Sequence, residues 1–592
     1  MSRPATGTGT GTTPAVPRQV DRRATGTDLP AGPATVDVPA GAATADLPAG
    51  PATADVPAGP AMADVPAGPA TADVPAGPAT DTHGAAGGAA EVRRSARSGA
   101  VGLVGAAVNG VLGFLLTVVI VRGFGTDGSG ALFTAIGVVS ILGAVCCAGA
   151  DTALVWALPR RRPGVDGDAA RLLPVALLPV LGFTGLVAAV GVLTADRLAP
   201  VFFARSDGPT LLRLAFLALP ATVAMTVLLA AVRAVRPVTA VVGIQYVLVP
   251  LARPVLLLAT VATGAGVVVG FGGWLLPVAL AVVAAAALLV RPLGLLAGAR
   301  LRPDGADWRT LWGFALPRAV SAAIDASSMW VGVLLTAALA GGDESGVFGA
   351  VGRYALAGLL IMQGLRVAVA PQLSRLLGQG RTAEAALVYR RVTVVTILLS
   401  WPAYLLLAVF APAFLSLFGD GFTAGAAPLA VLAGAMLVNS GVGIVQTMLL
   451  MSGNSARHLR ATVVGLALTV GLGFLLVPGH GALGAAYAWT AGVVAENVLA
   501  AVAARVVIGE PLLTRSVGWA AAGAGGGAAV VAVLSALVAG RGVAGLALAL
   551  VVLAVAVAAL LLDRRVRRTA RAAVTMLRPT ESGRTMPGPR PA

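Results

Sequence analysis

The chain has 592 residues, 57% of them hydrophobic and only 11% charged, against roughly 25% charged in a soluble domain. A water-soluble core cannot absorb that excess; with about 20 apolar residues needed per membrane crossing, the length has room for a dozen or more. The net charge of +16 is carried by 42 arginines and no lysine, and the arginines stand between apolar runs rather than in an aromatic-interleaved basic patch, which argues against nucleic acid as a partner.

Residues 1–98 differ from all that follows. Between Asp28 and Asp81 a nine-residue unit repeats six times with the consensus DVPAGPATA. Units of Pro, Gly and Ala with a single Asp cannot bury enough apolar surface to offset chain entropy, so a disordered, partly polyproline-II cytoplasmic tail is expected. No short apolar segment follows an initial basic stretch, so no signal peptide is read.

Fourteen apolar segments follow: 99–121, 130–158, 172–195, 210–232, 238–260, 267–290, 312–339, 346–370, 386–410, 426–450, 461–477, 482–504, 517–539 and 543–562. With a cytoplasmic N-terminus, the inside connections hold 26 arginines and the outside ones 4, the bias that the positive-inside rule demands. One missed or invented span would scramble this alternation. Both termini are therefore expected in the cytoplasm of a bacterial cell, with residues 564–592 as a basic tail.

The connection after the first span reads Asp127-Gly128-Ser129-Gly130, and the one after the seventh reads Asp343-Glu344-Ser345-Gly346, an offset of 216 residues. An offset of six spans leaves both copies in the same orientation, so the halves are parallel repeats about an axis along the membrane normal. The expected fold is all-α and integral to the membrane: a six-helix lobe over 99–310, a second over 311–506, and two extra helices over 507–563.

Ionisable groups inside spans cost about 2.5–3.5 kcal/mol on insertion scales and so mark cavities or partners. Asn109 lies in the first span, and Arg253, followed by Pro254, in the outer half of the fifth. In the seventh, Arg318, Ser321, Asp325 and Ser328 recur at helical spacing, on one face. Arg353, Tyr354 and Gln363 lie in the eighth, Asn439 and Gln446 in the tenth, and Glu496 with Asn497 in the twelfth. Together they are expected to line a polar cavity. Arg366, close to the cytoplasmic end of its segment, reads as an interfacial anchor. The adjacent Cys146 and Cys147 are too few for a disulfide framework or a four-ligand zinc site and read as small apolar fillers. No metal, cofactor or catalytic residue is expected, and without lysine no P-loop can form, which removes intrinsic ATP hydrolysis.

The stretch VVIVRGFGTDGSGALFTAIG, with Arg122, Phe124-Gly125, Asp127, Gly130 and Phe133, resembles the opening helices of polysaccharide flippases in the multidrug/oligosaccharidyl-lipid/polysaccharide (MOP) exporter superfamily. GFALPRAVSAAIDASSMWVGVLL, with Pro317, and SGVFGAVGRYALAGLLIMQGLRVAVAPQLSRLLGQGR, with Pro371, extend the resemblance over residues 95–505. It implies two bundles around a central cavity and alternating access, and fourteen spans look more like lipid-linked oligosaccharide and lipid II flippases than twelve-span drug exporters. In that setting Arg253, Arg318 and Arg353 suit the diphosphate of a polyprenyl-linked saccharide, because guanidinium makes charge-assisted bidentate bonds to phosphate oxygens. Asp325 and Glu496 would tune those arginines; the plainer alternative pairs Arg318 with Asp325 or lets the arginines snorkel to an interface. Membrane lipids and enzymes of envelope-polymer synthesis are the implied partners.

Two rival functions remain. A cation-coupled multidrug exporter of the same superfamily should carry few cavity arginines. A membrane polymerase or ligase acting on lipid-linked sugars needs a sizeable external loop with positioned acid–base groups, whereas the external connections are short and His480, in Pro-Gly-His-Gly, reads as a turn residue. A non-enzymatic transporter is the expectation.

Overall fold

The structure is a computed structural model that describes residues 83–161, 169–295, 302–512 and 514–562, with the backbone alone for 83–100 and for several positions inside helices. The repeat-bearing part of the N-terminal tail and the basic C-terminal tail lie outside the described residues. Among the described residues every regular element is helical, as a bilayer requires, because only helices and closed barrels satisfy all backbone polar groups there. The first helix already begins at His83, inside the stretch expected to be tail up to residue 98; its alanine-rich sequence carries good helix formers.

We number fourteen helices. The continuous run His83–Cys147 breaks at Gly125 (φ 68°, ψ −168°) into α1 (83–124) and α2 (126–157), the latter interrupted at Ala148 and Gly149. Then come α3 (Leu172–Phe202), α4 (Gly208–Val235), α5 (238–262), α6 (Val267–Val290), α7 (Gly305–Ala340) and α8 (342–378). After them are α9 (Thr382–Val409), α10 (Ala426–Val442), α11 (455–480), α12 (482–508), α13 (515–539) and α14 (Val543–Leu562). The run Ser455–Ile508 divides into α11 and α12 at Gly481. This numbering leaves out the short helices Ala411–Leu415 and Val445–Met451 and is consistent with the fourteen spans expected; within α7 the apolar stretch is Ala326–Ala340. Within α5 a π-helical turn, Val242–Leu248, precedes Pro250, whose missing N–H cannot reach the carbonyl four residues back.

The apolar core is continuous at one end of the bundle and divided at the other. At the Gly125/Gly341 end, Val119 and Phe133 of the first six helices share a single cluster with Phe348 and Leu429 of the next six. At the opposite end there are two clusters. One joins Leu172, Val223 and Leu289 with Leu311 and Ala315 of α7, and the other holds Leu373, Tyr389, Ile444 and Ala504. The bundle is therefore closed at the first end, with separate cores at the second. The start of α7 is tied to the first six helices by ion pairs Arg161–Asp307 and Arg171–Asp304, the Trp312 indole N–H donating to Val175 and Trp156 stacked on Phe314. α13 and α14 pack on α9 through Ala532, Ala549 and Phe410, and exposed side chains such as Leu537 and Val555 leave them an apolar surface suited to lipid.

Candidate functional site

The 216-residue repeat becomes a physical contact at the closed end. Gly125 and Gly341 occupy equivalent positions before α2 and α8, both with positive φ (68° and 91°) and extended ψ, a conformation open to glycine at little cost. The turns that follow repeat the same hydrogen bond: the Ser129 hydroxyl donates to the Thr126 carbonyl and the Ser345 hydroxyl to the Gly342 carbonyl, each at 2.9 Å. The two turns then pack on one another. Thr126 donates to Asp343 at 2.5 Å, and Arg122 donates to the Leu417 carbonyl at 2.7 Å. Arg205, from the α3–α4 connection, bridges Asp127 and Asp207.

Below this seam lie two arginines, one from each set of six helices. The Arg253 guanidinium of α5 stacks 3.9 Å from the ring centre of Trp274 on α6 and donates to the Trp274 carbonyl at 3.3 Å. Arg353 of α8 lies 4.9 Å above Trp330 of α7. Arg253 lies within electrostatic reach of Arg353. Among the described residues no carboxylate pairs with either. Cation–π stacking lowers the cost of holding such charges in an apolar setting and leaves the edges of the guanidinium groups available for an anion. Tyr354, next to Arg353, donates to the Phe414 carbonyl at 2.5 Å and meets Phe114 of α1 edge-on at 5.1 Å, so an aromatic contact between the two sets lies beside the arginines.

A cavity of about 550 Å³ opens among α7, α8, α10, α11 and α12. Glu496 and Asn497 of α12 line it with Gln363, Asn439 and Gln446. The polar groups are organised: Gln446 donates to Glu496 at 2.8 Å, Thr462 donates to the same oxygen at 3.3 Å, and Asn497 donates to Asn439 at 3.1 Å. Trp330, the residue under Arg353, forms part of the same wall, which sets the cavity beside the arginine pair.

The sequence-selected residues thus fall into groups. Ser328, Gln363, Asn439, Gln446, Glu496 and Asn497 come together in the cavity. Arg353 lies beside it on Trp330, Arg253 and Arg353 are not part of its wall, and Asn109 is half-buried on α1, also away from it. The single cavity expected for all of them is therefore two adjoining features. The side chains of Arg318, Ser321 and Asp325 lie outside the described residues. Arg366, expected as an interfacial anchor, is among the residues that line the cavity; α8 runs on to Gly378, which sets Arg366 about three turns inside the helix end. Cys146 and Cys147 are buried and free, and among the described residues no cluster of His, Cys, Asp or Glu could hold a metal. Sequence reasoning missed Trp274 and Trp330 as platforms; their signal was the scarcity of aromatics, 5% of the chain.

The all-α fold, with helices long and apolar enough to cross a membrane, is similar to that of solved transporters of the MOP superfamily. The inward-facing form of a multidrug resistance MATE family transporter matches with a TM-score of 0.59 at 15% identity, over 68% of this chain and 94% of that one. The lipid II flippase MurJ in an inward closed conformation matches at 0.55 and 11% identity, over 76% and 96%. A MOP superfamily transporter from Pyrococcus furiosus, described as having a binding pocket of reversed polarity, matches at 0.52 and 16% identity, over 70% and 95%. No protein-family model and no curated protein sequence matches the chain.

Proposed function

We propose that the protein is a flippase that carries a polyprenyl-diphosphate-linked saccharide, or a related envelope precursor, across the bacterial cytoplasmic membrane by alternating access. The observation that carries this reading is the Arg253/Arg353 pair: two stacked cations, one from each lobe, with no carboxylate partner among the described residues. Guanidinium groups in that arrangement suit a diphosphate, which offers several oxygens to planar forks of N–H donors. An anion gripped from both lobes would bias their relative position, the differential contact that couples binding to a conformational change. The arginine bias puts the divided end of the core in the cytoplasm, so the described state would receive cargo from inside. Export of an anionic headgroup from a negative-inside cell gains about 2.3 kcal/mol per charge per 100 mV, which makes the membrane potential a sufficient driving force.

The cation-coupled drug exporter keeps one observation in its favour, the Glu496 carboxylate inside a polar cavity. Two arginines at the lobe contact oppose it, since a cationic drug would be repelled there. The experiment is flipping of a fluorescent polyprenyl-diphosphate saccharide by the full chain in proteoliposomes. Arg253→Gln and Arg353→Gln should each slow it at least tenfold, and unimpaired flipping by both variants at equal reconstitution overturns the assignment.

A further inference from the structure

We propose that the cavity among α7, α8, α10, α11 and α12 is the subsite for the saccharide itself, and that it selects an uncharged sugar; this rests on the diphosphate reading of Arg253 and Arg353. The first support is connectivity. In a lipid-linked saccharide the first sugar is bonded directly to the terminal phosphate, so a diphosphate on Arg353 holds that ring within one residue's reach of the guanidinium. Trp330 is there, 4.9 Å from Arg353, and it is also cavity wall.

The second support is chemistry. Four side-chain amides, Gln363, Asn439, Gln446 and Asn497, line the cavity. An amide offers both donors and acceptors, the complement of a sugar hydroxyl or acetamido group. An amphipathic drug would need an apolar or aromatic box with few such groups. Trp330 and Trp489 add flat faces for the C–H side of a pyranose ring. Trp489 is 3% exposed, and its indole N–H has no acceptor among the described residues, although buried indole donors usually find one. Among the described residues that line it the cavity carries one of each charge, Glu496 and Arg366, and these present no net charge to attract an acidic sugar. Its volume, about 550 Å³, falls in the range of roughly 300–1,000 Å³ usual for small-molecule sites.

The test measures binding to the full chain in lipid nanodiscs with four probes: a polyprenyl diphosphate with no sugar, and the same lipid bearing a neutral hexose, an N-acetylhexosamine or a uronic acid. At least one neutral sugar should bind about tenfold tighter than the sugar-free lipid, the scale of one or two well-made hydrogen bonds, and the uronic acid should show no such gain. Asn439→Leu and Asn497→Leu should each bring the sugar-bearing lipid to within about twofold of the sugar-free one. Unchanged binding of the sugar-free lipid shows that a variant is folded; Thr469→Val, a milder change in the same wall, serves if either leucine variant is not. No gain for any neutral sugar, a gain that survives both cavity variants, or an equal gain for the uronic acid overturns the subsite. Arg353→Gln separates the two readings, because it should weaken all four probes. If it weakens none while the cavity variants still abolish the sugar gain, the diphosphate assignment fails and the sugar subsite stands.

Discussion

Gly130 and Gly346, 216 positions apart, each sit where a Cβ would run into the turn of the other repeat: Gly130 faces the carbonyl of Gly342, and Gly346 faces the carbonyl of Thr126. The positions are reciprocal, since Thr126 stands to Gly342 as Gly130 stands to Gly346. The closed end is thus a pseudo-two-fold contact of backbone on backbone, with the Thr126–Asp343 hydrogen bond across it.

A methyl group at either glycine should open that end. The nearest neighbours of each Cβ are backbone or a short serine side chain, so they cannot swing aside, and overpacking of this kind costs about 1–3 kcal/mol. Gly130→Ala and Gly346→Ala should therefore move the balance between closed and open forms by about fivefold or more. Spin labels at Arg197 and Asp420, both exposed near that end, would report it as a longer distance in a background lacking Cys146 and Cys147. An unchanged distance distribution in both variants would mean that the glycines do not hold the closure.

Much of this architecture is legible in the sequence, for reasons that can be named. Span count and order follow from apolar run length and arginine placement, both local signals. The duplication shows in Asp127, Ser129 and Gly130 against Asp343, Ser345 and Gly346, but a repeat does not say that its copies touch; that depends on how two lobes lean. Likewise Glu496, Asn497, Asn439 and Gln446 stand out as polar residues in apolar helices, while their hydrogen bonds to one another require neighbouring helices to be placed. The partnering of Arg253 with Trp274 and of Arg353 with Trp330 runs between helices, with no sequence spacing to announce it. Arg366 stands near the end of an apolar run, whereas the helix itself continues to Gly378, an extension that hydropathy does not mark.

The tryptophan platforms should matter even though they touch no phosphate. Trp274→Leu and Trp330→Leu remove a cation–π contact worth about 0.5–2 kcal/mol and leave Arg253 and Arg353 freer to reorient. Affinity for sugar-free polyprenyl diphosphate should fall several-fold in each, and Phe at either position should recover most of it. Arg253→Lys and Arg353→Lys should not recover binding, because an ammonium makes neither the planar stack nor the bidentate fork. Equal binding by the Arg and Lys forms would show that bare charge is enough.

Acid should loosen the closed end only well below neutrality. The Arg205 guanidinium, hydrogen-bonded to Asp207, holds that carboxyl below the ordinary carboxylate range against the opposing effect of partial burial. A depressed carboxyl stabilises the bridged form at pH values above its free value of about 3.9, and the stabilisation is lost as pH falls through the lowered one. Arg205 also holds Asp127, at the start of the turn that meets Gly342. The Arg197–Asp420 label distance should therefore be constant between about pH 5 and 8 and lengthen only below about pH 4. Asp207→Asn should weaken closure at all these pH values, and a transition near pH 6 would point to a different group.

The start of α7 should act as a fixed point for the first six helices. Asp307 is 3% exposed, pairs with Arg161, and accepts a hydrogen bond from the Asp304 backbone N–H at 2.9 Å as part of a reciprocal capping box. Asp307→Asn keeps the size and an acceptor but removes the charge facing Arg161, itself only partly exposed. Loss of a buried partner costs about 3–5 kcal/mol, an upper bound here because Arg161 retains some contact with water. The variant should lower the thermal midpoint in detergent by several degrees, and Arg161→Gln combined with it should cost less than the two single changes added together. Additive losses would mean that the ion pair contributes nothing beyond the cap, so that Arg171–Asp304, Trp312 and the Trp156–Phe314 stack hold α7 in place.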